Sequence, residues 1–186
     1  MDNGASSYRR FREEDDESGL AEIIRDYKDG LILYIYSIVG DLYIAEDLAM
    51  DTFTLLGIKK PKYNQKSSFK TWLYTIGRNL AIDHLRKESK FKELPIDDFP
   101  FLSDEKDNFV ISCIRSEQNI ALHNSLRNLK PEYRQIIWLI YFEEMSIKES
   151  SIIMRKSVHA TEVLASRARK ALKQQLDKDG FKYERL

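Results

Sequence analysis

The chain has 186 residues, enough for one domain or two small ones, and with seven Gly and four Pro it is too poor in turn formers for an all-β fold. Cys113 is the single cysteine, which excludes a disulfide framework and a thiolate metal site; no apolar run approaches membrane-spanning length. The formal net charge is zero, but its distribution is uneven. Ten basic residues stand against three acids from Lys59 to Glu93, six acids against two bases from Leu94 to Gln118, and seven bases against two acids from Arg155 to Lys178. Two basic blocks around an acidic spacer suit a chain with two separate anionic contacts.

Residues 1–17 are polar, carry no signal-peptide core and are expected to be flexible. From Ser18 to Val39 apolar residues recur at helical spacing (Leu20, Ile23, Ile24, Tyr27, Leu31, Tyr34, Ile35, Ile38), and Gly30 is expected to bend or divide the helix. "GDLY" reads as a turn, and Ile44 to Ile58 as the next helix. Its inward positions are Ala45, Leu48, Ala49, Thr52, Leu55 and Leu56; Glu46, Asp47, Met50, Asp51 and Thr54 face out. Three carboxylates on a convex face do not converge as metal ligands must, so no metal is assigned; an acidic face with an exposed Met suits protein docking.

"KKPKYNQKSS" is a basic loop broken by Pro61, with Ser67 or Ser68 as N-cap of the helix that follows. In that helix Phe69, Ile76 and Leu80 suit a core, whereas Lys66, Lys70, Arg78, Arg86 and Lys87 make a basic field. Thr75, Asn79 and Arg86 share one strip, with Trp72 and Asp83 at its edge. Asn reads base edges, Trp stacks on bases, and Lys and Arg hold phosphate. The competing reading makes Trp72 core and pairs Asp83 with Arg86 or Lys87 along the helix.

Between 91 and 115, Pro95 and Pro100 sit among acids and no helical stripe survives; this reads as a flexible linker. Helices are expected at 117–128, 131–142, 146–154 and 158–177, with Pro131 at a helix start. The last two, joined by a tight turn, have the outline of a helix-turn-helix. Thr161, Ala165, Ala168, Leu172 and Leu176 form its inward stripe; His159, Val163, Arg167, Lys170 and Gln174 fall on the opposite face and suit a DNA groove, with Arg and Lys as donors and Val163 as a partner for a thymine methyl. The three histidines have no Ser/His/Asp or metal spacing and no Gly-rich phosphate loop is present, so neither an enzyme nor a cofactor is expected.

In their order and spacing, "GDLYIAEDLAMDTF", "SSFKTWLYTIGRNLAIDHLRK" and "LRNLKPEYRQIIWLIYFEEMSIKESSIIMRKS", followed by "SRARKAL", resemble the extracytoplasmic-function (ECF) sigma factors of bacterial RNA polymerase. The resemblance implies an all-α chain of two small domains: sigma region 2 at 18–90, a linker at 91–115, a region 4 helix-turn-helix at 116–178 and a tail at 179–186. It implies core RNA polymerase docking through Glu46, Asp47, Met50, Asp51 and Thr54. It implies minus-ten recognition by Lys66, Lys70, Trp72, Thr75, Arg78, Asn79, Asp83, Arg86 and Lys87, and minus-thirty-five recognition by His159, Ala160, Val163, Arg167, Arg169 and Lys170. Promoter DNA and an anti-sigma factor are the further partners it implies, in the cytoplasm and without membrane insertion. Met50 stands where the family usually has Gln, Arg155 where a turn Gly is common, and the start of the last helix lacks the usual run of basic residues. The alternatives are a helix-turn-helix regulator that acts without polymerase, a metal-dependent nuclease using Glu46, Asp47 and Asp51, and an interaction scaffold.

Overall fold

A computed structural model describes residues 3–92 and 125–178, all of it helix, turn or loop, as the all-α reading expects. The expected linker from 93 on, the expected helix from 117 as far as 124, and the tail lie outside the described residues; 91 and 92, expected in the linker, end the helix Phe69–Lys92. The N-terminal half contains α1 (Asn3–Glu13), α2 (Glu17–Val39), α3 (Leu42–Lys59) and α4 (Phe69–Lys92). The C-terminal half contains a helical turn at 125–127, α5 (Pro131–Ile137) running into a π-helical turn (Trp138–Phe142), α6 (Ile147–Met154) and α7 (Val158–Lys178).

Side-chain caps fix most of these helix starts. Asp16 Oδ1 accepts from Ser18 N at 3.0 Å, Asp41 Oδ1 from Ile44 N at 2.9 Å, and Ser68 Oγ from Thr71 N at 3.2 Å. Ser146 and Glu149 form a reciprocal capping box at α6. Gly40 ends α2 in the left-handed conformation that glycine adopts without steric cost, φ 76°. Arg155 takes the same role after α6 at φ 53°, where a Cβ is strained.

Two expectations change. Residues 3–13 are not a flexible end but α1, because Tyr8 and Phe11, three residues apart, are buried, Tyr8 against Phe69 and Trp72 and Phe11 beneath Lys60. Arg10 pairs with Asp16 at 2.8 Å and also with Glu22, and Ser7 donates to Glu22 at 2.6 Å. A stretch with two large apolar groups gives no periodic signal, yet it finds a surface. Gly30, in turn, does not divide α2. Its missing Cβ serves close approach instead: a Cβ there would lie 2.6 Å from Tyr74 Oη and 2.9 Å from a Glu143 carboxylate oxygen.

That approach is part of a joint between the two halves. The core runs without interruption from Ile23, Leu31 and Ile35 in α2, through Leu73 and Tyr74 in α4, to Ile136, Leu139 and Ile153 in the C-terminal half. Arg134, buried in α5, donates from Nε to Ser37 O at 2.9 Å and from Nη1 to Arg127 O and Leu129 O at 3.2 and 3.1 Å. Ser37 O is among the last carbonyls of α2, where the helix dipole is negative and intrahelical donors run out. Burial pulls the guanidinium down to about 10, with Tyr36 opposing and Arg127 adding, so it stays charged at neutral pH.

Candidate nucleic-acid and polymerase interfaces

The outward face of α3 carries Glu46, Asp47, Met50, Asp51 and Thr54, all exposed except the half-buried Glu46. Asp41 caps this helix and Ala45, Leu48, Ala49, Thr52, Phe53 and Leu56 are buried, which fixes its rotation. Two residues that the sequence reading missed join the same arc: Tyr43, 54% exposed, and Ile58, 79% exposed. The face is therefore an apolar strip flanked by carboxylates. The position of Tyr43 and Ile58 on the arc of Met50 was the available signal.

α4 presents two different sides. Thr75, Asn79, Asp83 and Arg86 share one strip on the side of α4 opposite its buried residues, Asp83 and Arg86 exposed and Thr75 and Asn79 half-buried, with Trp72 at its edge. Thr75 Oγ1 bonds back to Thr71 O at 2.7 Å, and Arg86 pairs with Asp83 at 3.3 Å. Lys87 is exposed nearby, and Lys66 is exposed in the loop that precedes the helix. Trp72 is half-buried in an aromatic cluster, its ring centroid 5.2 Å from Tyr8, 5.2 Å from Tyr63 and 5.5 Å from Phe69. Lys70 and Arg78 lie on the second side, each one turn from Tyr74, and both reach the C-terminal half.

The basic loop between α3 and α4 is held from within and from α1. Tyr63 Oη donates to Ser67 O, and Asn64 Oδ1 accepts from Lys66 N at 3.1 Å. Tyr8 Oη donates to Pro61 O at 2.6 Å, and Arg12 Nε to Lys60 O at 3.1 Å. Burial pushes the Tyr8 hydroxyl up to about 12, with Arg12 opposing, so it remains a donor across the physiological range. Lys60 forms an ion pair with Asp15 at 2.6 Å and lies 4.8 Å above the Phe11 ring.

In the C-terminal half, Thr161, Ala165, Ala168 and Leu176 are buried and Leu172 half-buried, as the inward stripe requires. The opposite face carries exposed His159, Ala160, Arg167 and Lys170 and half-buried Val163; exposed Arg169 sits at its margin. Ser157 Oγ accepts from Ala160 N at 3.1 Å and starts the helix. A cleft of about 540 Å³ runs between the start of α5 and this face, lined by Lys130, Glu132, Tyr133, Lys156, Val163 and Arg167 among others. Lys130 and Lys156 lie beside α7, Lys156 paired with Glu132 at 3.0 Å; both come from turns outside the periodicity of α7. Among the described residues no cluster of three or more His, Cys, Asp or Glu side chains could hold a metal ion, and no helix is long and apolar enough to cross a membrane.

A family model for sigma-70 region 2 matches residues 23–91, and one for sigma-70 region 4 matches residues 119–172. The ECF RNA polymerase sigma factor SigM of Bacillus subtilis (strain 168) is 31% identical over 152 residues, covering 82% of this chain and 91% of that protein. The chain belongs to the ECF sigma factors. SigW of the same organism is 27% identical over 169 residues, covering 87% of this chain and 90% of the relative. The fold is shared with the sigma factor RpoE of Bartonella quintana in its co-crystal with the anti-sigma factor NepR: TM-score 0.63, 22% identity, 84% of this chain and 96% of that one. As a sigma factor, the chain binds core RNA polymerase and directs promoter-specific initiation of transcription. A polymerase-independent regulator finds no support among these relatives.

Proposed function

We propose that this sigma factor divides its work between three faces. The outward face of α3 docks on core polymerase, its carboxylates steering towards a basic partner surface and Tyr43, Met50 and Ile58 supplying apolar contact. The loop at 60–68 and the outward strip of α4 take the unpaired minus-ten strand, with Asn79 on a base edge and Lys66, Arg86 and Lys87 near phosphates. The exposed face of α7 enters the major groove of the minus-thirty-five element, Val163 against a thymine methyl and Arg167 on guanine or phosphate. The protein acts in the cytoplasm and performs no catalysis of its own. An anti-sigma protein holds it in check; the pairing of RpoE with the anti-sigma factor NepR in the Bartonella quintana co-crystal supports this reading.

The observation that carries this reading is the phase of two helices. α4 and α7, one in each half, both turn polar and basic residues outward while a complete apolar stripe is buried behind them. Transcription of a fragment library with purified core enzyme tests it. The chain is expected to yield transcripts starting downstream of one shared pair of elements, and a charge-reversed Asp47→Lys, Asp51→Lys protein to lose core binding while keeping its helical content. Core binding at the parent affinity by that double variant rejects the docking face.

A further inference from the structure

The face that α7 turns outward is not uniformly basic. Its Lys and Arg residues begin at Arg167. From Val158 to Ser166 the permanently charged group is a carboxylate, that of Glu162. Glu162 follows the buried Thr161 and precedes Val163, and its side chain is 58% exposed. This stretch is the amino-terminal part of the helix, the part that reaches base edges when a recognition helix lies in the major groove.

The ordinary reasons for a surface glutamate fail here. A carboxylate stabilises a helix from its first turn, where the dipole is positive; the first turn of α7 has no acid, and Glu162 lies beyond it. A carboxylate also pairs with Lys or Arg three or four positions away along a helix, but those positions hold Val158, His159, Ala165 and Ser166. The His159 ring is itself exposed, and its Nδ1 lies 3.8 Å from Glu162 Oε2, too far for a hydrogen bond. Such an exposed pair holds little and leaves the carboxylate open to a ligand. On a face that approaches phosphates, an acid with no other task lowers affinity for every DNA sequence.

We propose that Glu162 is a specificity-determining residue: its carboxylate accepts a hydrogen bond from the N4 amino group of a cytosine at one position of the upstream element. The proposal deepens the reading of α7 as the helix in the major groove and rests on it. The base follows from the donor code of that groove. Guanine presents two acceptors, O6 and N7, and thymine presents O4, all of which repel a carboxylate. Adenine places its N6 amino group beside the N7 acceptor, whereas cytosine presents an amino donor alone. An ionised carboxylate can only accept, so cytosine is the base that suits it. Opposite any other base it is desolvated without a donor. Glu162 therefore discriminates by exclusion: the matched cytosine restores the affinity that the charge withholds from other sequences.

The test uses the full chain assembled with core polymerase. The preferred upstream element is selected from a randomised library, and binding to all of its single-base variants is then measured at one salt concentration. The parent is expected to prefer cytosine at one position, with binding about tenfold weaker when that base is replaced. Glu162→Ala is expected to bind all four bases about equally there, while the other positions keep their preferences. Glu162→Gln keeps the shape and adds an amide donor, so it is expected to turn the same position towards adenine. The site is exposed, so both variants should fold, and circular dichroism checks this. A parent without a cytosine preference overturns the assignment. So does a cytosine preference that survives in Glu162→Ala, or a gain in affinity equal for all sequences with preferences unchanged. Failure of the underlying reading is seen separately: an Arg167→Ala, Lys170→Ala protein would then bind the upstream element as tightly as the parent, with the same salt slope.

Discussion

The two basic helices, α4 and α7, look alike in sequence and sit differently in the molecule. α7 buries one stripe against α5 and α6 and leaves the rest in water, so all six of its assigned residues are reachable. α4 is contacted on several sides, by α1, α2, α3 and the C-terminal half, and its assigned residues fall into three environments. Asp83 and Arg86 are exposed and Thr75 and Asn79 half-buried on one strip, Trp72 sits among rings, and Lys70 and Arg78 are engaged by Glu143 and Gln135. Helical periodicity assigns a residue to a face, but the role of that face depends on what packs against it. A helix with one packed face can be read from its own sequence; a helix contacted on several sides cannot.

The largest effect that separates the two helices is on stability. Trp72→Ala removes a ring packed on three others and is expected to cost about 2–4 kcal/mol, whereas Arg167→Ala on the open face of α7 stays within about 0.5 kcal/mol. Denaturant titration of both proteins decides, and equal losses would erase the distinction. Next in size comes function at constant stability. Asn79→Ala should lower open-complex formation roughly tenfold, the worth of one good hydrogen bond left unmade, with its melting temperature unchanged. Lys170→Ala should weaken binding to every upstream sequence alike and reduce the salt slope by about one; a loss confined to one base position would make Lys170 a base reader instead.

A smaller effect lies where the halves meet. Burial of Glu149 raises its pKa, but the hydrogen bonds from Ser146, Ser68 and Thr71 outweigh that, and the net shift is below the ordinary value of 4.5. A depressed carboxylate stabilises the fold above its unfolded value and loses that contribution as pH falls through the folded one. Glu149→Gln should therefore lower the melting temperature most at neutral pH, and the gap to the parent should close as the medium is acidified below 4.5. A gap that widens on acidification would show that the carboxylate is not held in its charged form. The smallest change is a gain: Arg155→Gly relieves the left-handed turn at φ 53° and should add about 0.5–1 kcal/mol, measured by the same titration.

Much of this was legible in the sequence because it depends on local order. The serine cap of α4 (Ser67 or Ser68 from the sequence, Ser68 in the structure), Pro131 in the first turn of α5, the inward stripe of α7 and the acidic arc of α3 follow from spacing, and the family resemblance rests on the same stretches. Misreadings occurred where distant residues decide. α1 has Tyr8 and Phe11 as its apolar pair, and the partners of Tyr8, Phe69 and Trp72, lie some sixty positions on. Gly30 has the composition of a helix break, yet the groups that need its empty space, Tyr74 and Glu143, come from two other elements. Tyr43 escaped notice because "GDLY" reads as a turn, whereas α3 already begins at Leu42; Ile58 closes the expected helix and is assigned to neither face, although it is exposed.

The docking of α1 also has a consequence for how the bundle comes into being on the ribosome. The helix is made first, while the surface it lies on, from Pro61 to Trp72, is made last among its partners. At roughly 5–20 residues per second, some 3–13 s separate the synthesis of Tyr8 from that of Trp72. During that interval the Tyr8 ring has no Phe69 or Trp72 to pack on. The packing of α1 on α2 can form early, but its contact with the loop at 60–68 and with α4 is a long-range event that waits for those residues.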